Sequence, residues 1–172
     1  MLVNSKFNKG SMSKEHNPYG QARKIASRYF KHMKKNNFMN IRKPAAMFDI
    51  DDTLIYTHSH KPIKEITKIL EECKKLGLYI IIITARLDRY AKETIEELNQ
   101  WNIYYDKLYL RNSKDNINKF KENIKEQLAL QENIYTVFSI GDNYIDVKGE
   151  WSGFWIKLPN QEDNRLFYSE LK

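Results

Sequence analysis

The sequence predicts an α/β fold built on a doubly wound, mostly parallel sheet. Short apolar runs with strand character alternate along the chain with segments of helical periodicity, and no internal repeat is present. Strands that alternate with helices form parallel sheets with helices packed on their faces. A length of 172 residues with 41% hydrophobic residues suits one domain with a substantial core.

The elements follow one another from residue 18 onward. Apolar residues recur at helical spacing among Lys and Arg over 18–38, which predicts an amphipathic helix. The run AAMFDIDDTL at 45–54 contains a buried strand that ends in acidic residues. A helix then extends from Pro62, in its first turn, to a C-terminal cap at Gly77, and the strand LYIIIIT follows. Further helices are predicted at 88–101 and 116–130, and further strands at 105–110, 134–140 and 153–158, the last of which closes the sheet.

Positive charge is concentrated at the N-terminal end of the chain. Residues 1–43 hold 11 of the 29 Lys and Arg residues but a single acid, Glu15. We expect a disordered basic tail over 1–17, a basic helix with its connector over 18–43, and the main domain over 44–172. The basic segment can meet nucleic acid or an anionic membrane, or can be a solvated helix face.

Composition narrows the cellular setting. The single cysteine, Cys73, excludes an internal disulfide, and no 18-residue apolar run predicts a membrane span. The first residues, MLVNSKFNKG, lack the apolar stretch of a secretory signal. A cytoplasmic location is therefore expected.

Polar side chains follow three of the predicted strands. Asp49 and Asp51 follow the first, Thr84 follows the second, and Asp142 with Asp146 follows the fourth. The carboxyl ends of parallel strands share one edge of the sheet, where ligands bind. Residues i and i+2 of a strand point to the same side, so the first two carboxylates are expected to converge. Thr84 offers a hydroxyl to a phosphate.

Such an arrangement predicts a cation and a phosphate together. Converging carboxylates repel one another, and Mg²⁺ is held by one or two carboxylates together with substrate phosphate oxygens. Gly141 allows the backbone to come close to a second pair of acids. The segment NINKFKENIK supplies the lysine candidates for the anion, Lys119, Lys121 and Lys125.

These segments together resemble the haloacid dehalogenase (HAD) superfamily of phosphohydrolases. FDIDDT resembles motif I, Thr84 the motif II threonine, Lys121 the motif III lysine, and GDNYID the acidic motif IV. The likeness covers about 44–160 and is closest to the acid phosphatase and vegetative storage protein branch, beside the class B and class C acid phosphatases. LYLRNSKD, FKENIK and GFWIKLPN carry that closer likeness.

The resemblance implies a Mg²⁺-dependent mechanism. Asp49 would be the nucleophile that forms an aspartyl-phosphate, and Asp51 would protonate the leaving oxygen and then deprotonate water. Asp49, the backbone carbonyl of Asp51 and Asp142 would hold Mg²⁺, while Thr84 and Lys121 hold phosphoryl oxygens.

Asp146 and Asn143 would support this arrangement. The match to FKENIK and the spacing to Asp142 favour Lys121 over Lys119 as the phosphate ligand. Asp52 is expected to cap or turn the chain, because its side chain points away from those of its two neighbours.

The spacing between the motifs bears on the substrate. Only 31 positions separate Thr53 from Thr84, and most are filled by one helix, so a large cap domain does not fit there. Nor does one fit between Thr84 and Lys121. An open site admits phosphorylated small molecules, nucleotides and the phosphorylated ends of DNA or RNA, so a nucleotidase or a polynucleotide-end phosphatase is an alternative.

Two other functional classes fit the sequence less well than a phosphohydrolase. A receiver-type phosphoacceptor domain also uses acids, a Thr and a Lys, but its acceptor Asp follows a later strand than its acid pair. A non-catalytic storage or scaffold protein on this fold would be expected to have lost its nucleophile, whereas Asp49 and Asp51 are both present.

Overall fold

A computed structural model describes residues 17–36 and 42–170 of the chain. Apart from Asn17, the tail predicted to be disordered lies outside these residues, as do the last two positions of the helix predicted over 18–38. Within the described part of the chain, no helix is long and apolar enough to cross a membrane.

The centre of the fold is a six-stranded sheet in the order β3-β2-β1-β4-β5-β6. Strands β1 to β5 are parallel, and β6 pairs antiparallel with β5. The strands are β1 (Pro44–Phe48), β2 (Tyr79–Leu87), β3 (Lys107–Arg111), β4 (Tyr135–Gly141), β5 (Phe154–Lys157) and β6 (Phe167–Tyr168). The predicted doubly wound sheet is confirmed.

Five α-helices accompany the sheet in the described residues. They are α1 (Pro18–Lys35), α2 (Lys64–Lys75), α3 (Ala91–Gln100), α4 (Phe120–Glu132) and the short α5 (Tyr144–Val147). Apolar residues of α1, α2 and α3 pack in one core cluster with Phe48, Ile80 and Ile82. Those of α4 pack with Met47, Ile81 and Ile83 in the other. Alternate residues of β1 and β2 therefore face opposite helical layers.

Helix α1 is packed into the larger of these clusters. Asn17 caps its first turn through its side-chain oxygen, and Ala22, Ala26, Phe30 and Met33 are buried. The ring of Tyr29 stacks on that of Phe154 at 4.3 Å between centroids, and its hydroxyl donates to the carbonyl of Val137 at 2.8 Å. The basic helix thus shares a core with the sheet that follows it.

Several predicted boundaries shift for local reasons. Helix α2 begins at Lys64 because Pro62 forms a bridge with Ile55. Helix α4 begins at Phe120, since the side chain of Asn116 accepts from the N–H of Asn118 and holds a turn before it. Residues 88–90 form a 3₁₀ turn ahead of α3.

The prediction that the strand at 153–158 closes the sheet is wrong. The two residues of β6, Phe167 and Tyr168, lie outside β5. A two-residue strand after the polar run PNQEDNR has no alternation long enough to reveal it.

Candidate active site

The carboxyl ends of β1, β2 and β4 lie together at one edge of the sheet. β1 is hydrogen-bonded to β2 on one side and to β4 on the other, so the strand order reverses direction next to it. A crevice opens at such a reversal in parallel sheets. Asp49 follows β1, Asp142 follows β4 and Thr84 lies within β2, so the sequence predicts correctly which strand ends meet.

Three carboxylates and one ammonium form the centre of this edge. One oxygen each from Asp49, Asp142 and Asp146 lies within 4.8 Å of the other two. The Nζ of Lys121, in the first turn of α4, donates to Asp49 and lies 2.6 Å from Asp146. Lys121 and Asp146 are each 2% exposed and Asp49 is 5% exposed. Lys119 is exposed and precedes the helix, so of these two lysines the structure brings only Lys121 to the carboxylates.

The loop after β4 holds Asp146 in place. Asn143 and Asp146 form a reciprocal capping box at the start of α5, in which the N–H of Asn143 donates to Asp146 at 2.9 Å. A Cβ at Gly141 would lie 2.2 Å from the Cβ of Asp146, so only glycine allows this approach. Asn143 itself is exposed and acts here through the loop backbone and its cap.

The cluster is short of positive charge. Burial raises the pKa of Asp49 well above its usual range, an effect that Lys121 opposes and Asp146 reinforces. Burial, with the charge of Asp146, raises the pKa of Asp142 to about 7. Burial alone would lower the pKa of Lys121, but the charges of Asp146 and Asp49 outweigh it and the pKa is raised. Three acids therefore share one lysine.

A divalent cation fits this donor set. Hard cations such as Mg²⁺ prefer oxygen ligands, and every candidate ligand atom in the cluster is a carboxylate oxygen. An added positive charge would also offset the effect of burial and of the charge of Asp146, which together raise the pKa of Asp142. The described residues thus offer a candidate metal centre beside the ammonium of Lys121.

The carboxylate of Asp51 lies outside the acid cluster. Arg86 binds it through two parallel contacts, from Nε at 2.9 Å and from Nη2 at 2.7 Å. The structure groups Asp49 with Asp142 and Asp146 and pairs Asp51 with Arg86, since β1 ends at Phe48 and the chain turns at Ile50. The carbonyl of Ile50 accepts from three N–H groups, those of residues 53, 54 and 55.

Asp52 shapes the same turn, as expected from the sequence. It has a φ of 52° and accepts from the N–H of Thr57 at 3.0 Å and from its hydroxyl at 2.9 Å. The loop after the first strand is thereby tied back to the edge of the sheet.

Thr84 is fully buried and faces this edge from β2. Its hydroxyl oxygen accepts from the N–H of Arg86 at 3.2 Å. The hydroxyl hydrogen is left to donate, which is the role that a phosphate oxygen would require.

The sequence did not single out Arg86, and it named Lys125 only as a candidate for binding the anion, whereas the structure places the Lys125 ammonium against the loop after β4. Lys125 is buried on α4 and donates to the carbonyls of Asp146 and Lys148, each at 3.0 Å, and to the hydroxyl of Ser152 at 2.6 Å. Burial lowers the pKa of Lys125 to about 8. The sequence did contain a signal for the position of Lys125. It lies four residues after Lys121, and residues four apart share a helix face.

An open cavity of about 750 Å³ lies between α1 and the loop that follows β1. Tyr19, Tyr56, His58, Lys61 and Lys64 are among its lining residues. Burial, followed by the charges of Tyr56 and Asp52 and more weakly that of Asp142, raises the pKa of Tyr19 to about 12. Tyr19 is therefore near enough to the strand ends to be influenced by their charges.

A family model matches residues 56–163 of the chain, and its description is HAD superfamily, subfamily IIIB (acid phosphatase). The chain belongs to this family. The match covers the Thr84, Lys121 and Asp142 segments and begins seven residues after Asp49. No curated protein matches the chain.

Solved structures share the fold. A chain from the structure of the Pnkp1/Rnl/Hen1 complex is 20% identical with a TM-score of 0.57, and the match covers 70% of this chain and 47% of that one. The class C acid phosphatase from Bacillus anthracis with tungstate bound is 16% identical with a TM-score of 0.57, covering 79% of this chain and 68% of that one. This chain thus spans about half the length of the chain it matches in the Pnkp1/Rnl/Hen1 complex.

Proposed function

We propose that this protein is a Mg²⁺-dependent phosphohydrolase that cleaves phosphomonoesters through an aspartyl-phosphate on Asp49. The observation that carries the proposal is the buried cluster in which Lys121 joins Asp49 to Asp146 beside Asp142. An anionic substrate can approach a carboxylate nucleophile only where positive charge surrounds it. Lys121 supplies one such charge, and membership of an acid phosphatase family supports the same chemistry.

In the first half of the proposed reaction, a carboxylate oxygen of Asp49 attacks phosphorus. The new bond forms as the bond from phosphorus to the leaving oxygen breaks, and Asp51 gives that oxygen a proton. In the second half, a water molecule attacks the same phosphorus and Asp51 takes a proton from that water. The bond between phosphorus and Asp49 breaks, which frees phosphate.

The charge that develops on the phosphoryl oxygens is stabilised by Lys121 and by the hydroxyl of Thr84. Asp49, Asp142 and the backbone carbonyl of Asp51 would hold Mg²⁺, with Asp146 and Asn143 supporting the loop between them. The ion, when bound, adds positive charge next to the phosphate and the nucleophile.

The proposal is tested by Asp49→Asn together with metal removal. Asp49→Asn should abolish turnover of an aryl phosphate, since the amide is not a nucleophile, and should leave the circular dichroism spectrum unchanged. EDTA should abolish the wild-type rate, and Mg²⁺ should restore it. Turnover of Asp49→Asn within tenfold of wild type, or a rate insensitive to EDTA, would overturn the mechanism.

A second candidate function is removal of phosphate from the ends of nucleic acid strands. Lys24, Arg28, Lys31, Lys34 and Lys35 are exposed on α1, and the cavity of about 750 Å³ touches the first turn of the same helix at Asn17 and Tyr19. Basic side chains bind phosphates by releasing counterions. One structural neighbour comes from a complex described as an RNA repair complex.

Salt dependence separates the two candidates. If α1 binds nucleic acid, oligonucleotide affinity should fall steeply with added salt, while turnover of a small aryl phosphate should barely change. Neutralising Lys31, Lys34 and Lys35 together should weaken oligonucleotide binding and reduce its salt slope. Unchanged binding in this triple variant would leave α1 as a packed helix with a solvated face. No binding by the wild type at low salt would exclude the second candidate and leave small phosphomonoesters or free nucleotides as substrates.

A further inference from the structure

Arg86 joins the carboxylate of Asp51 to a second acid on α3. Its Nε and Nη2 contact the two oxygens of Asp51 at 2.9 and 2.7 Å, and its Nη1 contacts Glu97 at 2.6 Å. The side chains of Arg86 and Glu97 are 19% and 14% exposed. The planar guanidinium therefore binds one carboxylate through Nε and Nη2 and a second carboxylate through Nη1.

Glu97 is itself held from a second direction. Its other oxygen lies 2.8 Å from Nδ1 of His60, in the loop after β1. The indole N–H of Trp101 donates to the carbonyl of His60 at 2.8 Å, which fixes this part of the loop against the end of α3. The network thus reaches from the last residues of β2 through α3 to the loop that leaves the candidate active site.

We propose that Arg86 is a positioning residue that holds the carboxylate of Asp51 in the orientation for proton transfer, and that Glu97 holds Arg86. The inference rests on the proposed role of Asp51 as the acid and base. The guanidinium of Arg86 contacts Asp51 and Glu97 and none of the acids of the Asp49 cluster, so its proposed effect on the reaction is exerted through Asp51. The side chain of Asp51 is 39% exposed, which leaves it accessible to a leaving oxygen at the open edge.

Two contacts to one carboxylate fix its plane as well as its position. Lysine would keep the positive charge but present a single rotatable ammonium, so the orientation would be lost while the local charge stays. Proton transfer depends strongly on this geometry. The effect of Arg86→Lys should therefore appear in the chemical step and not in substrate binding.

The test is a double-mutant cycle with two substrates. Arg86→Lys, Asp51→Asn and the double variant are assayed with 4-nitrophenyl phosphate, which has a good leaving group, and with an alkyl phosphate, whose leaving group needs a proton. Arg86→Lys should lower kcat for the alkyl phosphate by at least about tenfold with little change in KM, the range seen when supporting partners are removed. For the aryl phosphate, whose leaving group needs no proton, the burst of 4-nitrophenol that reports the first half of the reaction should slow by under about threefold.

The cycle separates this inference from the proposed function. In the Asp51→Asn background, Arg86→Lys should have an effect of less than about twofold, because its partner is already lost. Additive losses, or a raised KM with unchanged kcat, would overturn the positioning role and leave Asp51 as the acid. If Asp51→Asn slows the first half of the reaction equally for the two substrates, the proposed acid role fails instead.

Two further variants distinguish a loss of positioning from a general loss of folding. Glu97→Gln removes a charge that holds Arg86 and should show the same dependence on the leaving group, with a smaller loss; equal losses for both substrates would count against the network. Arg89→Lys is the matched control, since Arg89 is exposed on the neighbouring 3₁₀ turn. Arg89→Lys should leave kcat unchanged for both substrates. A loss in kcat like that of Arg86→Lys would overturn the inference.

Discussion

Replacing Gly141 by Ala should disrupt the candidate metal centre while leaving the sheet in place. The added Cβ would lie 2.2 Å from the Cβ of Asp146 and 2.3 Å from one of its carboxylate oxygens. Ordinary contact begins near 3.4 Å, so the side chain of Asp146 has to withdraw by about 1.2 Å. The contact of 2.6 Å between Asp146 and Lys121 cannot survive that movement.

The expected magnitude follows from the burial of this ion pair. Breaking a buried pair costs about 3–5 kcal/mol, which would lower the melting temperature of a domain of this size by roughly 10 °C. The loop that carries Asp142 would shift as well, so Mg²⁺ affinity should fall by about 10- to 100-fold. Calorimetric titration with Mg²⁺ and thermal unfolding measure the two effects.

Two controls make the prediction for Gly141→Ala strict. Gly20→Ala, in the first turn of α1, introduces a Cβ with no contact shorter than 3.4 Å and should be neutral or slightly stabilising. Gly141→Ala should add almost nothing in an Asp146→Gly background, where the clashing Cβ and carboxylate are both gone. An undiminished effect in that background, or wild-type stability and Mg²⁺ affinity in the single variant, would refute the steric explanation.

Three other substitutions test the surrounding structure. Lys121→Ala should reduce turnover at least about 100-fold and Lys119→Ala less than about twofold, and the reverse order would show that the wrong lysine has been assigned. Lys125→Met removes the donor to the carbonyl of Asp146 and the hydroxyl of Ser152, and one of two donors to the carbonyl of Lys148, and should destabilise the protein by about 2 kcal/mol, as measured by denaturant unfolding. Burial raises the pKa of Tyr29 to about 12, so its stabilising effect is complete below pH 10 and declines as the pH rises towards 12. Tyr29→Phe should therefore lose less stability than wild type over that interval, and parallel unfolding curves would contradict this.

The convergence of the acids could be predicted because it depends on position along the strands. Asp49 and Asp142 follow strands that the sequence identifies by their apolar runs, and parallel strands place their carboxyl ends on one edge. Lys121 could be chosen over Lys119 only with the help of the family resemblance, and the structure adds that Lys121 is buried against the acids while Lys119 is exposed.

The partner of Asp51 could not be predicted, because it depends on a turn. A period of two holds only in extended backbone, and β1 ends one residue before Asp49. The contact with Arg86 joins residues 35 apart in sequence, and nothing local specifies it. β6 was missed for a related reason, since two residues carry no detectable alternation.

The central claim is that Asp49 carries the phosphoryl group, and the most direct measurement is to trap it there. The wild-type protein is mixed with substrate and Mg²⁺, quenched within milliseconds, reduced with borohydride, and digested for mass spectrometry. Borohydride converts an aspartyl-phosphate to homoserine, so we expect homoserine at position 49, dependent on substrate and Mg²⁺ and absent when either is omitted. Continued turnover with unmodified Asp49, or modification at another aspartate, would contradict the mechanism.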